Sequence, residues 1–245
     1  MFFKIKKLAF KIIVLAAHIL RRVLNFTLMQ EASSIPLGQQ RRAMATTLDY
    51  VEKHLLQVDS VGSKNQLLTR AFQLADTSGD RLICEFGVFM GGSINHLSKM
   101  TTKTLYGFDS FEGLPERWRD GMGQGVFAVP KLPKVRKNVT LVKGLFDQTI
   151  PVFLKQNSGP VGFLHIDSDL YSSAKVVFEL LETRLLPKTV IVFDDYFNYP
   201  GWEQGEYKAF MDFLTRTGLT CEHIGYNRYE QQVAVILRKK IIPQK

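Results

Sequence analysis

Acidic residues are missing from the first 29 positions, where Lys4, Lys6, Lys7, Lys11, Arg21 and Arg22 supply six of the 32 basic side chains. The net charge of +9 is therefore mostly local, because the remainder carries 26 basic against 23 acidic residues. No basic, aromatic-interleaved motif for RNA or DNA is present, so a nucleic-acid partner is excluded. Cysteine is scarce as well. Cys84 and Cys221 each sit in an apolar strand-like run, a spacing that offers neither a zinc motif nor a disulfide framework and points to a reducing, cytoplasmic home. Internal repeats and low-complexity stretches are absent. The longest uncharged apolar run near the start, Ile12 to Ala17, falls short of the roughly 20 helical residues needed to span a bilayer.

What the first 30 residues do have is a pattern. At about 100° per residue, Lys4, Lys7, Lys11, His18 and Arg22 share one narrow stripe, and Phe, Ile, Leu and Val fill most of the rest of the circumference. A basic stripe on an apolar helix is what a helix lying in a membrane interface requires. Residues 1–30 are accordingly read as a basic amphipathic arm with peripheral membrane contact through residues 1–29, and 31–245 as the folded domain. Two rivals stand beside that reading. A secretory signal peptide is opposed by His18, Arg21 and Arg22 just after the apolar core. The other is a helix packed on its own domain or on a second subunit of a homo-oligomer.

Glu31 to Gly38, with Pro36, reads as a polar break. Helices are expected over Gln39–Leu56 and Lys64–Ala75, then a buried strand Leu82–Phe86 and a helix through Met100. Strands at Leu105–Phe108 and Val139–Val142 flank a Gly- and Pro-rich stretch, Gly113 to Pro133, whose length marks a functional loop or lid. A short helix, Thr149–Gln156, precedes two further strands. Beyond them come a helix Gln204–Thr217 and a closing antiparallel hairpin of Thr220–Ile224 with Gln232–Leu237. Alternating strands and helices predict an α/β fold: a Rossmann-like, mostly parallel sheet with helices on both faces.

The two remaining strands carry the chemistry. Phe163-Leu164-His165-Ile166 runs into Asp167-Ser168-Asp169, and Val190-Ile191-Val192-Phe193 runs into Asp194-Asp195. A crossover helix within Leu170–Leu186 would make them parallel neighbours. Ligands of open α/β sheets gather at the carboxyl ends of the strands, so these acids should converge there. Neighbouring carboxylates repel and are costly to desolvate, so such a cluster holds a cation or is washed by solvent. His165, inside its strand, is read as a packed core histidine. Asp169 has a structural alternative as the cap of the following helix.

Glu85-Phe86-Gly87-Val88-Phe89-Met90-Gly91-Gly92-Ser93 is a Gly-rich strand-to-helix turn. Gly87 and Gly91 permit close approach of backbone to a ligand. A nicotinamide fingerprint would read Gly-x-Gly-x-x-Gly with no acid ending its strand. Glu85 at that point disfavours a pyrophosphate and favours a ligand with a cationic group. Asp109, at the end of the second strand, is placed to accept hydrogen bonds from ribose hydroxyls. Together they point to S-adenosylmethionine.

These segments resemble a known family. Glu85-Phe86-Gly87-Val88, Gly107 to Pro115, Asp167 to Tyr171 and Asp194-Asp195-Tyr196 are similar to the macrocin O-methyltransferases, class I metal-dependent enzymes that methylate sugar hydroxyls of natural products. The resemblance covers about Arg41 to Arg238. It implies a class I methyltransferase fold, a magnesium ion (Mg2+) on Asp167, Asp194 and Asp195, and Asp169 as the base. It also implies cofactor contacts by Glu85, Gly87, Asp109 and Ser110, with Gly144-Leu145-Phe146 near the adenine; Gly91 and Ser93 belong to the same turn. The acceptor would be a sugar or glycosylated small molecule. The alternatives are a catechol-like phenol, whose vicinal hydroxyls could equally chelate the ion, and a non-catalytic membrane-surface protein that keeps the fold.

Overall fold

The computed structural model describes residues 2–240, with side chains described from Lys11 onward. The side chains of Lys4, Lys6 and Lys7, expected in or beside the basic stripe, lie outside the described residues. Helix α1 (Phe2–Ser33) is followed after one residue by α2 (Ile35–His54). The polar break expected over Glu31–Gly38 shrinks to Ser34. Its side chain accepts a hydrogen bond from the Leu37 amide at 3.4 Å, and Pro36 sits in the first turn, where its missing N–H is no loss. Every residue of α1 from Lys11 to Ser33 is exposed. By length and composition Lys11–Ser33 could cross a membrane. Arg21 and Arg22 fall at the middle of that segment, however, and each would cost about 2.5–3.5 kcal/mol at the centre of a bilayer.

The body is one eight-stranded sheet. In chain order its elements are β1 (Ser60–Val61), α3 (Lys64–Leu74), β2 (Leu82–Phe86), α4 (Gly92–Leu97), β3 (Leu105–Asp109), β4 (Val139–Lys143), α5 (Phe146–Gln156), β5 (Val161–Ile166), α6 (Tyr171–Leu181), β6 (Val190–Phe193), α7 (Glu206–Thr217), β7 (Leu219–Asn227) and β8 (Val233–Lys239). The spatial order is β1-β7-β8-β6-β5-β2-β3-β4. All neighbours pair in parallel except β8, which is antiparallel to both β6 and β7. The expected strands and closing hairpin are therefore present. The two-residue β1 carries no apolar pattern that could have announced it.

Alternation along the strands builds two cores. Ile83, Phe163, Val190 and Val192 pack under α3 and α4 with Leu67, Leu68 and Ile94. Cys84, Leu164, Ile191 and Phe193 pack under α5, α6 and α7 with Ile150, Phe178 and Phe210. Both faces of the central strands are thus covered, which is why β5 and β6 are buried end to end and read as unbroken apolar runs.

The chain leaves β2 toward β3 and β4, then returns to β5 on the other side of β2, so a topological switch point lies between β2 and β5. There the Asp167 amide donates to the Phe86 carbonyl at 2.8 Å. Gly87, with φ +93°, lies so close that a Cβ on it would stand 1.6 Å from the Asp167 carbonyl oxygen. Gly121 has a similar φ of +74° but open space around it. Gly121→Ala should cost only its backbone strain, about 1 kcal/mol. Gly87→Ala should cost several times more, because strand ends must also separate. Denaturant melts of the two variants check this, and equal losses would mean that the approach of β2 to β5 tolerates a side chain.

Candidate active site

A cleft of about 350 Å³ opens at the switch point, within the range of small-molecule sites. Gly87, Asp109, Ser110, Leu145 and Phe146 line one part of it, and Asp167 and Asp169 another. Leu114, Pro115 and Phe127 line it too, so the Gly113–Pro133 loop shapes the pocket as expected from its length. Trp118 and Trp202 do not line it. Trp202 is buried, with its indole N–H donated to Thr46, and Trp118 stacks edge-on against Tyr199 with the Arg119 guanidinium over its ring.

Asp109 both caps and faces the cleft. Its Oδ2 accepts the amides of Val88 and Phe89, each at 2.8 Å, and its Oδ1 accepts that of Phe111 at 2.7 Å. The free amides of the Gly-rich turn are spent on this carboxylate, not aimed outward at a phosphate. A carboxylate oxygen has two acceptor sites, so Oδ1 keeps one for a ligand hydroxyl. Glu85, Gly91 and Ser93 do not line the cleft. Gly91, with φ +81°, precedes the first turn of α4, while the buried Glu85 carboxylate accepts from Ser93 at 3.1 Å and meets His165 Nδ1 at 2.9 Å.

Strand register explains the placement of the acids. Glu85 pairs across the sheet with His165, and His165 with Val192. Two residues on, Gly87, Asp167 and Asp194 fall on the same side, the α3 side. A ligand atom from each of His165, Asp167 and Asp194 lies within 4.8 Å of the others. Asp195 falls on the opposite side, so the expected trio of Asp167, Asp194 and Asp195 is not gathered; His165 stands third instead. Into the group reaches a residue with no sequence signal. Lys64, the first residue of α3, places its Nζ 2.7 Å from Asp167 Oδ2 and 2.8 Å from Asp194 Oδ1. Burial opposes its charge, but the two carboxylates raise its pKa above the usual lysine range. His165 Nε2 is buried without a hydrogen-bond partner, and Asp194 Oδ1 meets Lys64 as an ion pair outside hydrogen-bond geometry. Two carboxylates and an orphaned imidazole nitrogen fit a divalent cation, with the lysine ammonium as its competitor.

On the α7 side, a second residue without sequence signal organises the rest. Glu206, fully buried in the first turn of α7, accepts at Oε1 from the Ser168 amide (2.9 Å), the Ser168 hydroxyl (3.2 Å) and the Asp169 amide (3.1 Å). Its Oε2 accepts the Asp195 amide at 3.3 Å. Burial raises the carboxyls of Glu206 and Asp195 above the usual range, and neighbouring acids add to it. Asp169 has φ +62°, a conformation disfavoured for a side-chain-bearing residue. Leu170, not Asp169, stands at the cap position of α6, and no side-chain cap bond forms there. Burial first, then the Asp167 charge, pushes the Asp169 carboxyl up to about 7, while a hydrogen bond with Asp195 pulls the other way.

The fold is that of the class I methyltransferases. Residues 84–196, which contain every expected cofactor, base and metal residue, match a family described as a methyltransferase domain. Among curated proteins, the 8-demethyl-8-(2,3-dimethoxy-alpha-L-rhamnosyl)-tetracenomycin-C 4′-O-methyltransferase of Streptomyces olivaceus is 31% identical over 140 residues, 46% of this chain and 52% of that protein. The chain thus spans about half the length of the curated relative it matches. Among solved structures, the calicheamicin methyltransferase CalS11 superposes with a TM-score of 0.56 at 22% identity over 85% of each chain. The O-methyltransferase NovP does so with a TM-score of 0.52 at 18% identity, over 72% of this chain and 78% of its own. At these identities the structural likeness speaks for the fold. The relatives agree with the resemblance to macrocin O-methyltransferases seen in the motifs.

The raised Asp169 carboxyl has a consequence for stability. Its pKa of about 7 lies above the roughly 3.9 of an unfolded aspartate, so the native state binds the proton more tightly. That contribution is fully present below about pH 4 and is lost as pH rises through about 7. Asp169→Asn cannot titrate, so its stability relative to the parent chain should grow between about pH 5 and about pH 8. Thermal melts at both pH values check the sign; a relative stability that does not change between them would mean that Asp169 is held ionised.

Proposed function

We propose that this protein transfers a methyl group from S-adenosylmethionine to a hydroxyl of a sugar or glycosylated small molecule, assisted by a divalent cation, magnesium being the expected one. The observation that carries the reading is the cleft itself, bounded by Asp109 on one side and by Asp167 and Asp169 on another. The Streptomyces olivaceus relative, named for methylating a rhamnosyl hydroxyl, supports the choice of acceptor.

Gly87, which lines the cleft with its backbone, and Asp109 Oδ1, with its spare acceptor site, would hold the ribose; Leu145 and Phe146 offer apolar surface to the adenine. Glu85 is placed to orient His165 and not to touch the cofactor. Asp167, Asp194 and His165 are the residues that would hold the ion, whereas Asp195 is engaged with Asp169. When bound, the cofactor supplies an electrophilic methyl on a sulfonium, and the ion lowers the pKa of a coordinated hydroxyl. Asp169 would take the acceptor's proton on its carboxylate. Its amide is anchored by Glu206 and its pKa lies near neutrality, which suits a base working near that pH.

Labelled methyl transfer to free sugars, glycosides, glycolipids and catechols, each with magnesium and with excess chelator, tests the reaction and the acceptor class together. Transfer to catechols alone would move the acceptor to phenols, and full activity in chelator would remove the ion. Asp109→Ala should weaken cofactor binding by at least about tenfold, or roughly 1.4 kcal/mol, by calorimetry. It should also lower stability, since three amides lose their acceptor. Unchanged affinity in a folded variant removes the ribose assignment. Asp169→Asn should lower turnover by about 10² to 10⁴ while cofactor affinity barely moves. Near-normal turnover would return Asp169 to a structural role.

A further inference from the structure

Helix α1 is not used by the fold or by the cleft. Its apolar side chains stand in solvent around the whole circumference: Ile13, Leu15, Leu20 and Phe26 are each more than 60% exposed. Nothing described of the chain covers them. The charge of the arm selects the occupant. Six basic residues and no acid precede residue 30, so a second copy of the arm would meet like charge, whereas an anionic lipid surface answers it. Arg22 lies on the same side as Lys11 and His18, opposite Ile13, Leu20 and Leu24, and Arg21 stands at the edge of that basic side. A helix lying flat sends those bases to the headgroups and the opposite face into the acyl boundary; a crossing helix would bury the arginines.

Where α1 is rooted gives this a functional meaning. After the single residue Ser34, α2 packs on the segment that follows β6. Gln40 donates to the Asn198 carbonyl at 3.0 Å, the Asn198 amide to Thr47 at 2.9 Å, and Tyr50 and Tyr196 share a hydrogen bond of 2.8 Å. Tyr199 of that segment stacks against Trp118, with ring centroids 5.6 Å apart. Trp118 belongs to the loop whose Leu114, Pro115 and Phe127 line the cleft. Arm, α2, the post-β6 segment and the cleft loop are therefore consecutive neighbours at the carboxyl rim of the sheet.

We propose that α1 seats the protein flat on an anionic membrane and that the acceptor is the sugar headgroup of a membrane-borne glycolipid, taken up at the rim beside the arm. The acceptor part rests on the methyl-transfer reading above. Confinement of enzyme and acceptor to one surface raises their effective concentration, so the same sugar should react at least about tenfold faster on a lipid than free.

The full chain is floated with phosphatidylcholine vesicles with and without phosphatidylglycerol. Methyl transfer is then measured to a long-chain alkyl rhamnoside in those vesicles and to methyl rhamnoside in solution, with cofactor binding followed separately by calorimetry. The expected result is flotation with the anionic vesicles only, lost in Ile13→Asp/Leu20→Asp and in Arg21→Glu/Arg22→Glu, together with preference for the vesicle acceptor. Both double variants should keep the parent's rate on methyl rhamnoside and lose the preference. A chain that stays off the vesicles, or sediments as a dimer through α1, overturns the membrane seat. Flotation with equal rates on both acceptors overturns the glycolipid acceptor and leaves the methyl-transfer reading standing. Cofactor binding and flotation without transfer to either rhamnoside overturns the acceptor for both readings.

Discussion

Side chains on a strand alternate between two sides, and at the carboxyl rim of this sheet that rule separates Asp194 from Asp195. Residues in step with Glu85 and His165 face α3, which puts Asp167 and Asp194 together. Asp195, one residue out of step, lies with Glu206 on the α7 side, and Asp169, in step with Asp167 by count but beyond the end of β5 with φ +62°, joins them there. Each group is completed by the first residue of a helix, Lys64 of α3 and Glu206 of α7. These two residues give the groups different properties. In one, an ammonium group compensates two carboxylates; in the other, burial and mutual repulsion raise the carboxyls above their usual range.

Glu206 holds the second group by geometry. Its four accepted hydrogen bonds come from both strand-end turns, so the β5 and β6 exits cannot move independently. The positive φ of Asp169 is tolerated because its amide is tied down there, and strained backbone of this kind persists only where its surroundings over-determine it. Gly87 completes the arrangement from β2 by leaving room for the Asp167 carbonyl.

Much of the fold was legible because the central strands are buried on both faces, and an uninterrupted run such as Val190–Phe193 has clear ends. The boundary between α1 and α2 was misplaced because a cap needs one residue, and the polar composition of Glu31–Gly38 suggested a longer break. In the candidate site, the places of Asp109 and Asp169 beside the cleft were legible from their positions at strand ends. Asp195 was not, since adjacency in sequence hides the alternation that sends it away from Asp194. His165 looked like a core residue, and its link to Glu85 depends on a cross-strand register that no local pattern states. Lys64 lies 103 positions from Asp167, and Glu206 lies 38 from Ser168. A lone charged residue at that separation carries no signature until the chain is folded.

Lys64 also bears on how the protein withstands dialysis. Domains built around a metal commonly unfold when the ion is stripped, because their ligands are left as uncompensated buried charge. Here the chain carries its own counterion on a flexible stem, 2.7 and 2.8 Å from the two carboxylates. The two carboxylates are compensated by the chain itself, so under the proposed function the ion would be an exchangeable reagent, not a structural rivet. Its affinity would then be set by a contest with an ammonium group, and the occupied fraction would follow the free cation concentration of the surroundings.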